Sequence, residues 1–226
     1  CFQVHHPNPV IPVETGIYLT CFQVHHPNLV IPVETGIHIF QWLIDSWLSQ
    51  ERQIIAGMTG IAGTMAASPL LQLASLPAAA GNWEKPGDLA IGAPEAPISI
   101  IEYFSLTCPH CRDFHTKTFP RLRTEYIETG KVRFIARDFP LNRPALDAAI
   151  LAQCAGPERY FAFIETLFNT FDSWTRAADY VKALGQIGQL GGVSAAQFDD
   201  CRSDAALEAK IFSTMLEAQE TYDVKS

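Results

Sequence analysis

The stretch Ile98-Ser99-Ile100-Ile101-Glu102-Tyr103-Phe104-Ser105-Leu106-Thr107-Cys108-Pro109-His110-Cys111 decides how the rest of the 226-residue chain is read. Its first seven residues are β-rich and mostly apolar, as in a central strand covered on both faces. Glu102 is the exception, a carboxyl at a position where burial is expected. The strand runs through three turn residues into Cys108-Pro109-His110-Cys111. Two thiols at that spacing can close a small disulfide ring. With a helix beginning at the motif, Cys108 lies at its start, where free backbone N–H groups and the positive dipole end favour a thiolate. A stabilised thiolate is a good leaving group, and it makes the disulfide a stronger oxidant. Pro109 suits the first helical turn, since its missing N–H has no partner to lose there. His110 can offer the Cys108 sulfur a hydrogen bond or, when protonated, a charge.

Downstream, Phe114, Tyr126 and Ile127 belong to a helix that Pro120 should kink and Gly130 should cap. Val132 to Ala136 reads as a second strand, closed by Asp138-Phe139-Pro140. From residue 144 the period turns helical. Leu146, Ala149, Ile150 and Cys154 share one face; Phe161, Ile164, Leu167, Phe168 and Phe171 share another. Tyr180, Val181, Leu184 and Ile187 make a further helix, broken by Gly191-Gly192. Ser194 with Gln197 forms a capping-box pattern, and Val193 with Phe198 a hydrophobic staple. The last helix carries Leu207, Ile211, Met215 and Leu216. So long a helical run, about 142–222, is an inserted subdomain and not a loop.

Upstream the chain divides in two. Residues 1–17 and 21–37 are copies that differ only at Pro9 against Leu29. Two near-identical units fit recent duplication better than a solenoid. VIPVETGI resembles translated dispersed intergenic repeats of bacterial genomes. Residues 1–50 are therefore expected to be a duplicated leader and not a folded domain. Cys1 with His5-His6 and Cys21 with His25-His26 offer metal-type ligands, but no framework surrounds them. Residues 51–80 have one cation, Arg52, then an apolar small-residue run ending in Ala78-Ala79-Ala80. That is the shape of a signal peptide, with an N-terminal membrane anchor as the alternative. Residues 81–97 are punctuated by Pro and Gly and should run over the surface.

Composition excludes other classes. Hydrophobic residues make up 48% and charged residues 18%, which is enough apolar material for a core. A formal net charge of −8 argues against nucleic acid as a partner. A zinc knuckle would need a second close ligand pair, and His115 with the distant Cys154 and Cys201 does not make one. No metal or cofactor is expected.

Residues 102–111, with Ile91 to Pro97 and Arg137-Asp138-Phe139-Pro140-Leu141, resemble DsbA-type thiol:disulfide oxidoreductases of Gram-negative bacteria over about 88–226. The resemblance implies an α/β, thioredoxin-like fold with an inserted all-helical subdomain. It implies a periplasmic enzyme that donates the Cys108–Cys111 disulfide to reduced substrate proteins and is re-oxidised by a DsbB-type membrane partner. Cys108, Cys111, His110 and Pro109 would form the catalytic motif. Glu102 falls where the family keeps a buried acid that could relay protons to Cys111; a surface carboxylate is the alternative. Cys154 and Cys201 resemble a second, non-catalytic disulfide of some relatives, which an oxidising compartment favours; two buried free thiols are the alternative. The family's cis-proline loop and the strands after it are not found before Ser226, so the thioredoxin-like domain 81–226 is expected to be incomplete. A reductase or isomerase, a thiol-based metal binder and an inactive fragment are the competing functions.

Overall fold

The computed structural model describes residues 2–5, 22–25, 29–31, 84–222 and 224. Among the described residues, six strands form one mixed sheet: β1 (Phe2–His5), β2 (Phe22–His25), β3 (Leu29–Ile31), β4 (Leu89–Ile91), β5 (Ile98–Phe104) and β6 (Val132–Asp138), in spatial order β3-β2-β1-β5-β6-β4. The central pair β5 and β6 runs parallel, with Glu102 opposite Ala136 and Phe104 opposite Asp138. β4 lies antiparallel on β6, and β1 antiparallel on β5. The two repeat copies pair in parallel register, Phe2 with Phe22. These strands extend the sheet beyond β5. The rest of 1–50, and the expected leader or anchor at 51–80, lie outside the described residues.

All seven residues of β5 are buried, so the strand is covered on both faces as its apolar run implies. Alternation then sorts its side chains. Ile98, Ile100 and Phe104 join Val132, Phe134 and Ala136 in the larger core beneath the helices. Ile101 and Tyr103 point the other way and meet Ile135, Phe139, Ala218 and Val224 in a second, smaller core.

The first helical segment, residues 109–127, departs from the expected single kinked helix. Short α-helical pieces α1 (Pro109–Asp113) and α2 (Phe119–Leu122) alternate with π-helical turns at Phe114–Thr118 and Arg123–Ile127. Pro120, which lacks an N–H and crowds the turn before it, accounts for the first of these turns. The backbone widens so that Phe119 donates to the Phe114 carbonyl five residues back, and Glu128 likewise donates to Arg123. Gly130, at φ +76°, closes the segment as expected.

The second strand runs two residues past the expected Ala136. Arg137 and Asp138 stay in register with Tyr103 and Phe104 because each finds buried partners. The Arg137 guanidinium donates to Asp88 at 2.6 and 3.0 Å and to the Tyr103 hydroxyl at 2.7 Å. Residues 81–97 were expected to be surface chain, yet Leu89–Ile91 forms β4. Gly92, at φ +97°, makes its exit possible, since a Cβ there would sit 2.4 Å from the Val132 carbonyl oxygen.

The helical layer comprises α3 (Arg143–Cys154), α4 (Pro157–Asn169), α5 (Phe171–Thr175), α6 (Tyr180–Leu190), α7 (Ala195–Arg202) and α8 (Ala205–Tyr222). In α3, eight consecutive residues from Ala145 to Ala152 are buried, so this helix is enclosed on every side. Phe171, expected to extend the α4 face, instead opens α5 after a break at Thr170. The Ser194 hydroxyl accepts from the Gln197 N–H, with Val193 and Phe198 buried beside it, so α7 starts as predicted. Leu216, read as core, is exposed on α8, whose Ala218 and Met215 reach the second core instead.

Cys154 at the end of α3 is disulfide-bonded to Cys201 in α7, across 47 residues of sequence. The free-thiol alternative is thus not the arrangement found. Closing so long a loop restricts the unfolded chain. The Cys154→Ala/Cys201→Ala double variant should lose about 2–4 kcal/mol in denaturant unfolding, with the midpoint shifted and the slope little changed. A stability equal to that of the unreduced parent would show the bridge to be energetically idle.

Candidate active site

The site is built where β5 ends. Ser105, Leu106 and Thr107 turn the chain, and the Cys108 N–H donates to the Ser105 carbonyl at 3.0 Å. Cys108 keeps an extended backbone, φ −85° and ψ 119°, and is the N-cap of α1, with Pro109 in the first turn. A Ser or Asp would normally cap such a helix with a side-chain oxygen. Here no side-chain bond closes the cap; the backbone N–H groups of Cys111 and His110 act on the sulfur electrostatically and favour its thiolate.

Both thiols are free in this structure. Cys108 is buried and Cys111 half-buried. They ionise in opposite directions. The Cys111 thiol hydrogen-bonds the Cys108 sulfur and, with those two N–H groups and the charge of His110, outweighs burial to bring Cys108 down to about 6. Cys111 is the donor in the same hydrogen bond, so its own ionisation is pushed up. Burial, the neighbouring Cys108 thiolate and the Glu102 carboxylate push it further. His110 thus acts on Cys108 through its backbone N–H and its charge; its ring is exposed. Pro109 is exposed as well.

Glu102 is wholly buried, on the face of β5 that carries Ile100 and Phe104. It is therefore not the surface carboxylate of the alternative reading. Its Oε2 lies 2.8 Å from Nε2 of His115, itself buried. Asp138, on the same sheet face, accepts from Gln153 at 2.6 Å and from the Tyr160 hydroxyl at 3.1 Å. Burial pushes the Asp138 carboxyl up, against the pull of those two donors. The Tyr160 hydroxyl is also pushed up, by burial and then by the charge of Asp138.

The active-site turn is tied to the helical layer. Asn142 accepts from the Ala145 N–H as the cap of α3, and its Nδ2 donates to the Thr107 hydroxyl at 3.0 Å. Arg112, next to Cys111, rests over the Phe171 ring at 5.1 Å and pairs with Asp113.

The structure thus brings Cys108, Pro109, His110 and Cys111 together at one helix start, with Glu102 behind them. Cys154 and Cys201 lie apart from this centre, in the helical layer. Sequence reasoning missed His115, Asp138 and Tyr160. His115 follows Cys111 by four residues, one helical turn, which places the two on one face. Among the described residues, no three His, Cys, Asp or Glu side chains group as a metal would require. Cys1, His5-His6, Cys21 and His25-His26 lie outside the described side chains.

A strand of a mixed sheet delivering a Cys-x-x-Cys to a helix start, with a helical layer above it, defines a thioredoxin-like fold. Residues 84–226 match the family model described as Thioredoxin. A Rickettsia bellii chain, provisionally named a protein-disulfide oxidoreductase, is 38% identical over 118 residues, 52% of this chain and 46% of that one. Its Rickettsia typhi counterpart is 37% identical over 134 residues, 58% of this chain and 50% of that one. The chain spans about half the length of the curated relatives it matches. The crystal structure of alpha-DsbA1 from Wolbachia pipientis is 37% identical, with a TM-score of 0.60, over 63% of this chain and 73% of that one. The chain belongs to the thioredoxin superfamily and, within it, to the DsbA-like family.

The Cys108 ionisation has a testable sign. Its value in the folded, reduced protein lies below that of an unfolded thiol, about 8.5. The reduced fold therefore gains stability as pH rises from about 6 towards that range, and loses it as pH falls through about 6. Alkylation of the reduced chain by iodoacetamide should show one fast thiol with a midpoint near pH 6, absent in Cys108→Ser. A midpoint in the ordinary thiol range would contradict the arrangement of donors around the sulfur.

Proposed function

We propose that this chain is a protein-disulfide oxidoreductase that donates the Cys108–Cys111 disulfide to pairs of thiols in substrate proteins. The observation that carries this reading is the opposed ionisation of the two cysteines: Cys108 falls to about 6 while Cys111 is pushed up. At pH 7 a thiol that ionises near 6 is roughly ten parts thiolate to one part thiol. That preference stabilises the reduced enzyme, so the disulfide is readily given away.

A substrate thiolate attacks Cys108 Sγ of the oxidised enzyme. The electron pair of the Cys108–Cys111 bond passes to Cys111 Sγ, which takes a proton. This leaves Cys108 joined to the substrate in a mixed disulfide. A second substrate thiolate then attacks the substrate sulfur of that bond, and Cys108 departs as the stabilised thiolate. The substrate has lost two electrons, and the enzyme holds them as one thiolate and one thiol. A two-electron acceptor must restore the disulfide. A membrane protein of the DsbB type, linked to quinones, supplies that chemistry in our reading. The exchange would then take place in the periplasm, where two cysteines in a stabilising bridge such as Cys154–Cys201 also remain oxidised. The names of the Rickettsia and Wolbachia relatives support thiol–disulfide exchange.

Titration of the chain against glutathione, with Cys108 and Cys111 followed by thiol labelling, tests the direction. The transition should lie well to the oxidising side of the glutathione couple. Replacement of His110 by Ala should move it to the reducing side by less than about tenfold in the equilibrium constant, since one of several stabilising contacts is lost. In parallel, stoichiometric oxidised chain should oxidise a reduced, unfolded two-cysteine protein. A transition more reducing than glutathione would make the chain a reductase.

A further inference from the structure

β5 and β6 end side by side, and each continues into the start of a helix. The Phe139 N–H donates to the Phe104 carbonyl at 2.7 Å, so the β5–α1 turn and the β6–α3 turn leave the sheet together. Beyond that bond, two hydroxyls and one amide stitch the turns to each other. Ser105 is buried, and its Oγ accepts from the N–H groups of Thr107 and Leu141, each at 3.4 Å. Thr107 Oγ1 lies 3.3 Å from Ser105 Oγ. A hydroxyl oxygen has two lone pairs, and those of Ser105 are taken, so Ser105 is the donor in that contact. Thr107 Oγ1 then accepts twice, from Ser105 and from Asn142 Nδ2 at 3.0 Å. Thr107 is half-buried, so its own proton is left to water. Asn142 Oδ1 meanwhile accepts from the Ala145 N–H at 2.9 Å as the cap of α3. Both ends of one amide are used, one on each turn.

We infer that Asn142 is a positioning residue for the Cys108 sulfur: by holding Thr107 it fixes the peptide that leads into the redox motif. This rests on the proposed thiol–disulfide exchange, in either direction. Cys108 must keep its extended backbone, φ −85° and ψ 119°, for its sulfur to stand at the start of α1. Upstream, Leu106 is anchored in the larger core, and the Ser105 carbonyl holds the Cys108 N–H at 3.0 Å. Thr107 lies between, and its side chain is tied from the other turn by Asn142. The tie matters unequally in the two redox states. In the disulfide, the bond to Cys111 holds the Cys108 sulfur against α1 whatever the turn does. In the dithiol, and in the mixed disulfide with substrate, that bond is gone and the turn aims the sulfur. The clasp therefore favours the reduced form over the oxidised one, the preference that a disulfide donor needs. Asn142 is exposed, so water can replace its bond to Thr107 in energy but not in direction. Little stability and more aim is at stake. The titratable groups acting on Cys108 are Cys111 and His110 of α1, whereas Thr107 and Asn142 carry no charge. A substitution by a neutral residue at 107 or 142 therefore reaches the sulfur through geometry.

The test reads the sulfur and not the fold. Variants of the full chain are compared with the parent by the pH midpoint of iodoacetamide alkylation at Cys108 and by the glutathione equilibrium. Asn142→Ser keeps an oxygen to cap α3, since Ser and Asn are comparable caps, but is too short to reach Thr107. Thr107→Val keeps the side-chain shape and removes the acceptor; Thr107→Ser keeps the hydroxyl and removes the methyl group. In Asn142→Ser and in Thr107→Val the midpoint should rise by roughly half a pH unit, or about threefold in the ionisation constant, which one net hydrogen bond can supply. The glutathione equilibrium at pH 7 should move to the reducing side by a similar factor, because the thiolate is the form that loses its aim. Thr107→Ser should match the parent. The Asn142→Ser/Thr107→Val double variant should shift no further than the larger single one, because both remove the same contact. Denaturant unfolding of oxidised Asn142→Ser should stay close to that of the oxidised parent, which separates aim from stability. A parent-like midpoint and equilibrium in Asn142→Ser would overturn the inference and reduce Asn142 to a helix cap. A shift in Thr107→Ser as large as in Thr107→Val would overturn it too, by assigning the effect to packing. A parent titration that fails to show an oxidant would instead overturn the donor direction and leave the midpoint shifts standing.

Discussion

The parallel pairing of β5 with β6, buried on both faces, is the constraint on which everything else depends. A strand with no exposed face has only its end from which to present chemistry. β5 ends at Phe104, a short turn intervenes, and Cys108 becomes the cap of α1. Strand alternation sets the rest. Glu102 is turned to the helical side by the same parity that turns Ile100 and Phe104 there, and Asp138 reaches that side from β6. Arg137, of the opposite parity, donates to both Tyr103 and Asp88 on the far face. One register therefore distributes two acids to the site and one cation away from it.

The two thiols of the motif differ in chemistry because they differ in what they face. The Cys108 thiolate is favoured by the Cys111 thiol and by two backbone N–H groups, while Cys111 is held as a thiol by Cys108, by burial and by the charge of Glu102. The spacing of two intervening residues makes this possible. A shorter spacing would not bring the second thiol back over the first turn, and a longer one would remove it from the cap.

Much of this was legible before any coordinates. The β5 boundaries, the helix start at Cys108, the α7 cap at Ser194 and the Gly191-Gly192 break follow from local patterns that no distant contact overrides. The misses have a common cause. Arg137 and Asp138 stay in β6, and Leu89–Ile91 becomes a strand, because partners far away in sequence complete them: Asp88, Tyr160, Gln153 and β6 itself. Leu216 fits a helical stripe by spacing but ends up exposed, since α8 meets the second core along a different line. His115 was weighed only as a ligand for zinc, where it lacked partners. Its real neighbour, Glu102, lies thirteen residues upstream on another element, and no periodicity links the two. The resemblance to DsbA-type proteins pointed to Glu102 but was silent about what holds it.

Asn142 gives the helical layer a mechanical hold on the redox centre. One side chain caps α3 through its oxygen and grips Thr107 through its nitrogen. α3 is the enclosed axle of the helical layer, fastened at its other end to α7 by the Cys154–Cys201 bridge. One side chain thus fixes the start of α3 and the turn before Cys108 relative to each other.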